Sequence, residues 1–308
     1  MDHGETCALR DLGRDVGLAG APRPEDDDAF DRATVVDAAW QGCAVSRGQQ
    51  QKGEAFRALH EGEPFVIPNP WDAGSARVLE ALGFEALATT SSGFAFTLGR
   101  LDGDVTLDEV VEHVAALAEA SELPVSVDLE NGYGAEPEAA AIAITRVAEV
   151  GAVGGSIEDY DPDGRIYDLG HATERIAAAV EAARSLDFPF TLTARAENHI
   201  RGNPDLDDTI ERLLAFEAAG PDVLYAPGLR TIEELRTLCD AVSRPVNALR
   251  VPSLSFTELA DAGVQRVSVG GSLAWVGVQA IAEAAVAIRD KGDFTSLDAS
   301  PPLRDWLS

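Results

Sequence analysis

Leu123-Pro124-Val125-Ser126-Val127-Asp128-Leu129-Glu130-Asn131-Gly132-Tyr133-Gly134 reads as a short apolar strand that ends in two acids and runs at once into a glycine-rich turn. Side chains two apart on a strand share a face, so Asp128 and Glu130 point the same way. The turn makes this an open strand end, which is where parallel α/β proteins keep their chemistry. Two carboxylates converging there suggest a hard divalent cation.

On both sides of this stretch, from Pro64 onward, short apolar runs alternate with Ala/Leu/Glu-rich helical ones. The pattern predicts strands over 65–68, 86–90, 125–128 and 153–158, followed in turn by helices over 72–82, 107–120, 137–150 and 172–185. Further strands are expected over 190–194, 223–226, 246–249 and 266–269, with helices over 206–219, 232–242, 256–262 and 278–289. Eight βα units in roughly 230 residues match a (β/α)8 TIM barrel in number and length. A doubly wound sheet is the alternative, and no GxGxxG turn follows the first strand to support it. Gly83, Gly151, Gly220 and Gly263 each stand just after a helical run, where a left-handed cap belongs.

At 308 residues and 45% hydrophobic, the chain can bury a large core. Residues 1–53, with Glu25-Asp26-Asp27-Asp28 and Gln49-Gln50-Gln51, are expected to be an acidic, poorly ordered extension. Residues 54–290 would form the catalytic barrel and 291–308 a C-terminal tail. No apolar run is read as approaching the ~20 residues of a membrane span, and the N-terminus does not read as a secretion signal. A cytoplasmic location is the expectation. Cys7, Cys43 and Cys239 are far apart and unpatterned, against a disulfide framework or zinc knuckle. The formal charge of −29, from 53 acidic and 24 basic residues, repels phosphate backbones and anionic lipid, so neither nucleic acid nor membrane is an expected partner. Only Lys52 and Lys291 are lysines, a composition that suits a high-salt cytoplasm and equally a GC-rich genome.

In a barrel, the residues after each strand meet at one mouth. They are Asn69 and Asp72, Ser91-Ser92-Gly93, Asp128 and Glu130, Glu158-Asp159, Arg195 with Glu197 and His199, Asn247 and Arg250, and Gly270-Gly271-Ser272. Carboxylates from adjacent strands would repel one another unless a cation or an arginine neutralised them. Arg195 suits either role: counter-ion to Glu158 or Glu197, or a fork that grips a substrate carboxylate or phosphate. Ser92-Gly93 reads as a plain turn or as an anion nest of backbone N–H groups. Asn247 joins the candidate substrate-binding residues.

The motifs 69–77 (NPWDAGSAR), 89–93 (TTSSG), 98–103 (LGRLDG), 128–134 (DLENGYG), 156–159 (SIED) and 193–197 (TARAE), in that order over residues 54 to 290, resemble the isocitrate lyase/phosphoenolpyruvate mutase superfamily. The resemblance implies an α/β barrel whose last helix is exchanged with a neighbouring subunit. It further implies a homodimer or homotetramer, and a small carboxylic acid bound with Mg²⁺, or Mn²⁺ in its place. By the same resemblance Asp128 is the principal metal ligand, with Glu130, Glu158 and Asp102 around it. Ser92, Gly93 and Phe94 would hold a carboxylate through the backbone, and Arg195 would pair with the oxyanionic end of the substrate. The superfamily more often carries Asp where Glu130 stands.

A second departure bears on chemistry. Superfamily members that cleave isocitrate or methylisocitrate carry a cysteine-bearing loop after the fourth strand, whereas residues 159–171 here (DYDPDGRIYDLGH) contain none. The asparagine of the phosphonomutases is missing as well. The expected activity is therefore metal-dependent C–C cleavage of a 2-oxo or 2-hydroxy acid through an enolate, oxaloacetate decarboxylase-like or methylisocitrate lyase-like, with Tyr160, Tyr167 or His171 replacing the cysteine as proton donor. The alternatives are phosphonomutase P–C chemistry and a barrel that binds an oxo acid without turnover.

Overall fold

A computed structural model describes residues 47–307, so residues 1–46 of the loose extension expected over 1–53 lie outside the described residues. The strands are β1 (Phe65–Ile67), β2 (Leu87–Ala88), β3 (Val125–Asp128), β4 (Gly154–Glu158), β5 (Tyr160–Asp161), β6 (Arg165–Ile166), β7 (Thr191–Arg195), β8 (Val223–Tyr225), β9 (Val246–Leu249) and β10 (Arg266–Ser268). Eight of them form one parallel sheet in the order β1-β10-β9-β8-β7-β4-β3-β2, and β5 and β6 pair separately as an antiparallel hairpin.

The two outer strands meet. Ala88 N–H donates to the Pro68 carbonyl at 3.0 Å, and the buried Asn69 side chain donates to Thr89 O and accepts from Val269 and Gly270 N–H, each at 2.9 Å. One amide thus ties the ends of three strands, and the sheet wraps into a nearly closed (β/α)8 barrel.

The helices are α1 (Arg47–Leu59), α2 (Ala73–Ala81), α3 (Ser91–Thr97), α4 (Leu107–Ala120), α5 (Pro137–Glu149), α6 (Leu169–Arg184), α7 (Leu206–Ala219), α8 (Ile232–Ala241), α9 (Phe256–Asp261), α10 (Ser272–Lys291) and α11 (Leu303–Leu307). Capping boxes led by Asp72, Thr106, Thr231 and Ser255 start α2, α4, α8 and α9. All four glycines expected at helix ends have φ between 87° and 109°, the left-handed region that suits them.

Besides α10, which starts at Ser272 and not at residue 278, and α11 in the expected tail, three elements differ from the sequence expectation. Helix α1 begins seven residues ahead of position 54 and seals the N-terminal end of the barrel. Gln49 Nε2 donates to Ala148 O and Ala152 O, Lys52 Nζ to Ser121 O, and Gln265 Nε2 returns to Leu59 O at 3.1 Å. A Cβ on Gly53 would lie 2.3 Å from the Pro189 carbonyl, so the helix sits directly on the barrel floor. The second difference is α3, which occupies a segment read as a turn or an anion nest. The third is the β5–β6 hairpin in the segment read as a loop.

Within the barrel, Arg266 donates to Asn247 Oδ1 at 2.8 Å, to Thr193 Oγ1 at 2.9 Å and to His60 Nε2 at 3.1 Å. Burial, and then the Arg266 charge, push His60 down to about 3, so its ring is neutral. Facing a guanidinium, Nε2 accepts, which leaves Nδ1 to donate to Phe56 O at 2.8 Å.

Helix α10 stands apart from this packing. Ala274 alone is buried on it, while Val276 and Ile281 are 67% and 71% exposed. By length and composition only, it is long and apolar enough to cross a membrane, contrary to the expectation that no stretch approaches that. Beyond it, α11 lies against α2, where Arg77 Nη1 donates to Leu307 O at 2.5 Å.

Candidate active site

The mouth at the C-terminal ends of the strands gathers most of the residues singled out in the sequence. Arg195, at the end of β7, is the hub. Its Nη1 lies 2.8 Å from Asp128 Oδ1, its Nη2 lies 2.9 Å from Glu158 Oε2 and 2.7 Å from Glu197 Oε1, and Nε reaches Glu197 Oε1 at 3.1 Å. The register of the sheet produces this arrangement. Asp128 pairs across to Ser156 and Glu158 to Arg195, so residues at successive strand ends stand side by side. Its donors are committed to three carboxylates, which makes Arg195 the counter-ion of the cluster.

Glu130 is brought back toward the cluster by a φ of 49°, and Tyr133, with φ 62°, donates its hydroxyl to Glu130 Oε1 at 3.3 Å. Two left-handed non-glycine residues so close together mark a loop held in place by its surroundings. The holder is Arg175 on α6, one of the largest fully buried side chains, whose guanidinium donates to the carbonyls of Asn131, Gly134, Ala135 and Glu136 and stacks on Tyr167. An arginine on the apolar face Ala172/Arg175/Ile176/Ala179 was the signal in the sequence, because burial of that charge demands a set of acceptors.

Five carboxylates, from Asp102, Asp128, Glu130, Glu158 and Glu197, are set against two guanidinium groups, from Arg195 and Arg201. Burial, with the neighbouring Asp128 and Asp102 charges, pushes Glu130 up to about 7. Burial and Asp128 raise Asp102 against a hydrogen bond with Ser91, and burial holds Glu158 well above the ordinary carboxylate range despite Arg195. The site is short of positive charge. Among the described residues no three His, Cys, Asp or Glu side chains are gathered into a ready-made metal cage. The oxygen donors that are present are of the hard type a divalent cation takes.

These raised carboxyls give a pH dependence. The folded chain holds a proton on Glu130 more tightly than the unfolded chain does, so the stabilisation is full below about pH 4.5 and is lost as pH rises through 7. In protein stripped with a chelator, unfolding free energy is expected to fall between about pH 5 and 7, by at most ~1.4 kcal/mol per pH unit for each such group. Added Mg²⁺ should flatten that slope. Thermal melts across pH with and without the ion measure it, and identical profiles would exclude a cation site here.

Two cavities open at the mouth and share Asp102. The inner one, about 250 Å³, is lined by Ser91, Ser92, Asp128, Arg195, Tyr225 and Asn247 among others. The outer one, about 440 Å³, is lined by Glu130, Glu158, Tyr160, Pro162 and Arg201 among others. Asn247 lies deep in the inner one, with Nδ2 bonded to Ser268 Oγ at 3.0 Å.

Three expectations about site residues change. The amide of Gly93 donates to Thr90 Oγ1 at 3.3 Å and that of Phe94 to Thr90 O at 3.0 Å, so the cap of α3 already uses both. Phe94 is buried against the His113 ring, and it is Ser91 and Ser92 that reach the cavity. His171 Nε2 lies 2.9 Å from the Ala135 carbonyl, outside both cavities, and the Tyr167 hydroxyl accepts from Asn131 Nδ2 at 3.3 Å. Of the three expected proton donors, Tyr160 lines the outer cavity and Tyr167 a neighbouring one, which shares Glu130, Asn131 and Pro162 with it.

Fold and mouth together define a barrel enzyme whose site is built from carboxylates and guanidinium groups. A solved protein of Burkholderia cenocepacia J2315, provisionally described as a lyase/mutase, has a TM-score of 0.82 and 52% identity, covering 85% of this chain and 96% of that one. An uncharacterized protein of Mycobacterium tuberculosis is 36% identical over 233 residues, 75% of this chain and 87% of its own. The oxaloacetate decarboxylase of Rhodopseudomonas palustris strain TIE-1 is 30% identical over 253 residues, 77% of this chain and 84% of its own. Residues 56–289 match the phosphoenolpyruvate phosphomutase family, and the chain belongs to it, within the isocitrate lyase/phosphoenolpyruvate mutase superfamily of lyases and mutases.

Proposed function

We propose that the protein is a divalent-cation-dependent lyase that breaks a C–C bond of a small 2-oxo or 2-hydroxy carboxylic acid. The observation that carries this reading is the under-neutralised arc of Asp102, Asp128, Glu130 and Glu158 beside a cavity of about 250 Å³, room for a short-chain acid. Bound there, Mg²⁺, or Mn²⁺ in its place, would supply Lewis-acid stabilisation of the charge that develops on the 2-oxo oxygen as the bond breaks. Asp128 would be its main ligand, with Asp102, Glu130 and Glu158 reaching it directly or through water. Arg195 fixes the orientation of Asp128 and Glu158, and Ser92 offers a hydroxyl donor to the substrate carboxylate. Tyr160, whose side chain lines the outer cavity, would return a proton to the carbanionic fragment through its hydroxyl.

The relatives support the small-acid chemistry, and the cysteine-free hairpin turns the reading away from cysteine-dependent isocitrate-type cleavage. The exposed apolar side of α10 supports a homodimer or homotetramer built through that helix, and a cytoplasmic location is proposed with it. A Mg²⁺-dependent screen of 2-oxo and 2-hydroxy di- and tricarboxylic acids, read by mass spectrometry, tests the proposal. Release of CO₂ or of two shorter acids is expected. Tight Mg²⁺-dependent oxalate binding with no product from any acid would instead leave a barrel that binds without turnover.

The phosphonomutase reading has its own support, from the family matched over residues 56–289. Phosphorus NMR on protein incubated with phosphoenolpyruvate separates the two, since P–C bond formation shifts the resonance and C–C cleavage does not.

A further inference from the structure

We propose that Arg201 reads a second anionic group on the substrate, so that the site selects 2-oxo or 2-hydroxy acids carrying two carboxylates over those carrying one. This deepens the small-acid reading above and rests on it.

Arg201 lies in the loop after β7. Its Nε donates to Glu197 Oε2 at 3.1 Å, and its guanidinium carbon stands 3.8 Å from the centroid of the Tyr160 ring. Nη2 is 3.7 Å from Glu158 Oε1, beyond hydrogen-bond range. Neither terminal nitrogen makes a hydrogen bond to a described residue, and the side chain is 39% exposed, on the wall of the outer cavity. One edge of the fork is therefore anchored and its plane is fixed by the aromatic ring, while its terminal nitrogens, apart from the loose ion pair of Nη2 with Glu158, keep their hydrogen-bonding capacity. That is the form in which a guanidinium takes a carboxylate through two parallel bonds, with little rotamer freedom left to lose.

Position gives these nitrogens a purpose. An acid whose 2-oxo or 2-hydroxy head sits beside Asp128 in the inner cavity extends past Asp102, which lines both spaces, into the outer one. Arg201 is the one cationic side chain on the outer wall, among Asp102, Asp104, Glu130 and Glu158. A distal carboxylate is repelled by every other charge there and is held by this one. A neutral distal group gains nothing from it.

Malate and lactate differ by one carboxylate, so the ratio of their affinities isolates the contribution of Arg201. Both are titrated into the full-length protein with Mg²⁺, in competition with oxalate, for wild type, Arg201→Gln and Arg201→Lys. Wild type is expected to prefer malate. Arg201→Gln should reduce the malate-to-lactate ratio by about 10- to 100-fold, the usual strength of a charge-assisted contact. Arg201→Lys should recover part of the ratio, because it keeps the charge and loses the fork. Taking the ratio cancels any general loosening caused by leaving Glu197 without its partner. No preference in wild type, or a ratio unchanged in Arg201→Gln, would overturn the proposal. Turnover is scored separately: lyase activity with no Arg201-dependent ratio sinks this inference alone, and a ratio that holds without turnover sinks the lyase reading alone.

Discussion

Asp128→Asn is expected to abolish turnover, lowering kcat/KM by at least ~10³-fold, while the barrel stays folded. Asp128 is where three parts of the site meet. Its Oδ1 pairs with Arg195 at 2.8 Å, its Oδ2 faces the Ser91 amide at 3.4 Å, and its own N–H donates to Thr89 Oγ1 at 2.9 Å. Asparagine has the same shape and keeps one acceptor, so Arg195 retains a partner there and its ion pairs to Glu158 and Glu197. What disappears is the negative charge that a divalent cation needs. Calorimetry should therefore show Mg²⁺ affinity falling together with activity, and the melting temperature should change little. An Asn variant that loses turnover and keeps full Mg²⁺ affinity would contradict the ligand role of Asp128.

Arg175→Met is expected to give the largest loss of stability, about 4 kcal/mol, equivalent to a drop of roughly 8–15 °C in Tm. Among the described residues the buried guanidinium makes no ion pair, and Glu136 and Asp161 act on it only from a distance. It is neutralised by carbonyl dipoles of residues 131–136, among them Gly134 O at 2.7 Å and Glu136 O at 3.1 Å. Methionine fills similar volume and leaves those acceptors without donors in a dry environment, each costing ~1–3 kcal/mol and not independently. The same loop carries Glu130 and Tyr133 in the left-handed region, so Mg²⁺ affinity should weaken as well. A Tm within 2 °C of wild type would show that water takes over the carbonyls, and that Arg175 does not hold the loop.

The regular part of the fold was legible because its signals are periodic. Helices α4 and α7 and strands β3 and β9 begin and end where the pattern predicts, since caps such as Thr106 and Asp205 and the turn glycines mark the boundaries. What escaped were elements too short to show a period. Helix α3 has seven residues, and its sequence SSGFAFT shows no polar face. The β5–β6 hairpin has two-residue strands around Asp161-Pro162-Asp163-Gly164, a Pro-Asp-Gly turn signature that identifies it on inspection.

The site was legible as a set and not as a circuit. Strand-end position placed Asp128, Glu158 and Arg195 together, because the parallel register leaves little choice. Which oxygen faces which nitrogen depends on rotamers and on loop backbone, and so the commitment of Arg195 to three acids, the capped amides of Gly93 and Phe94, and the outward turn of His171 were not readable. Arg201 was missed for a related reason. Six residues beyond a strand end, its direction is set by stacking on Tyr160, a contact with no trace in linear spacing.

Helix α1 has a consequence for how the chain is made. The bond from Gln265 Nε2 to Leu59 O joins residues 206 apart, and the contact between Arg266 and His60 spans the same distance. A ribosome adding ~5–20 residues per second needs roughly 10–40 s to deliver the second partner after the first. For that interval α1 lacks its contacts to Gln265 and Arg266, and the growing barrel has an open seam where β10 will enter. The nascent chain is therefore a natural client for holding factors until its last strand emerges, and truncation before Arg266 should yield an insoluble product and not a smaller barrel.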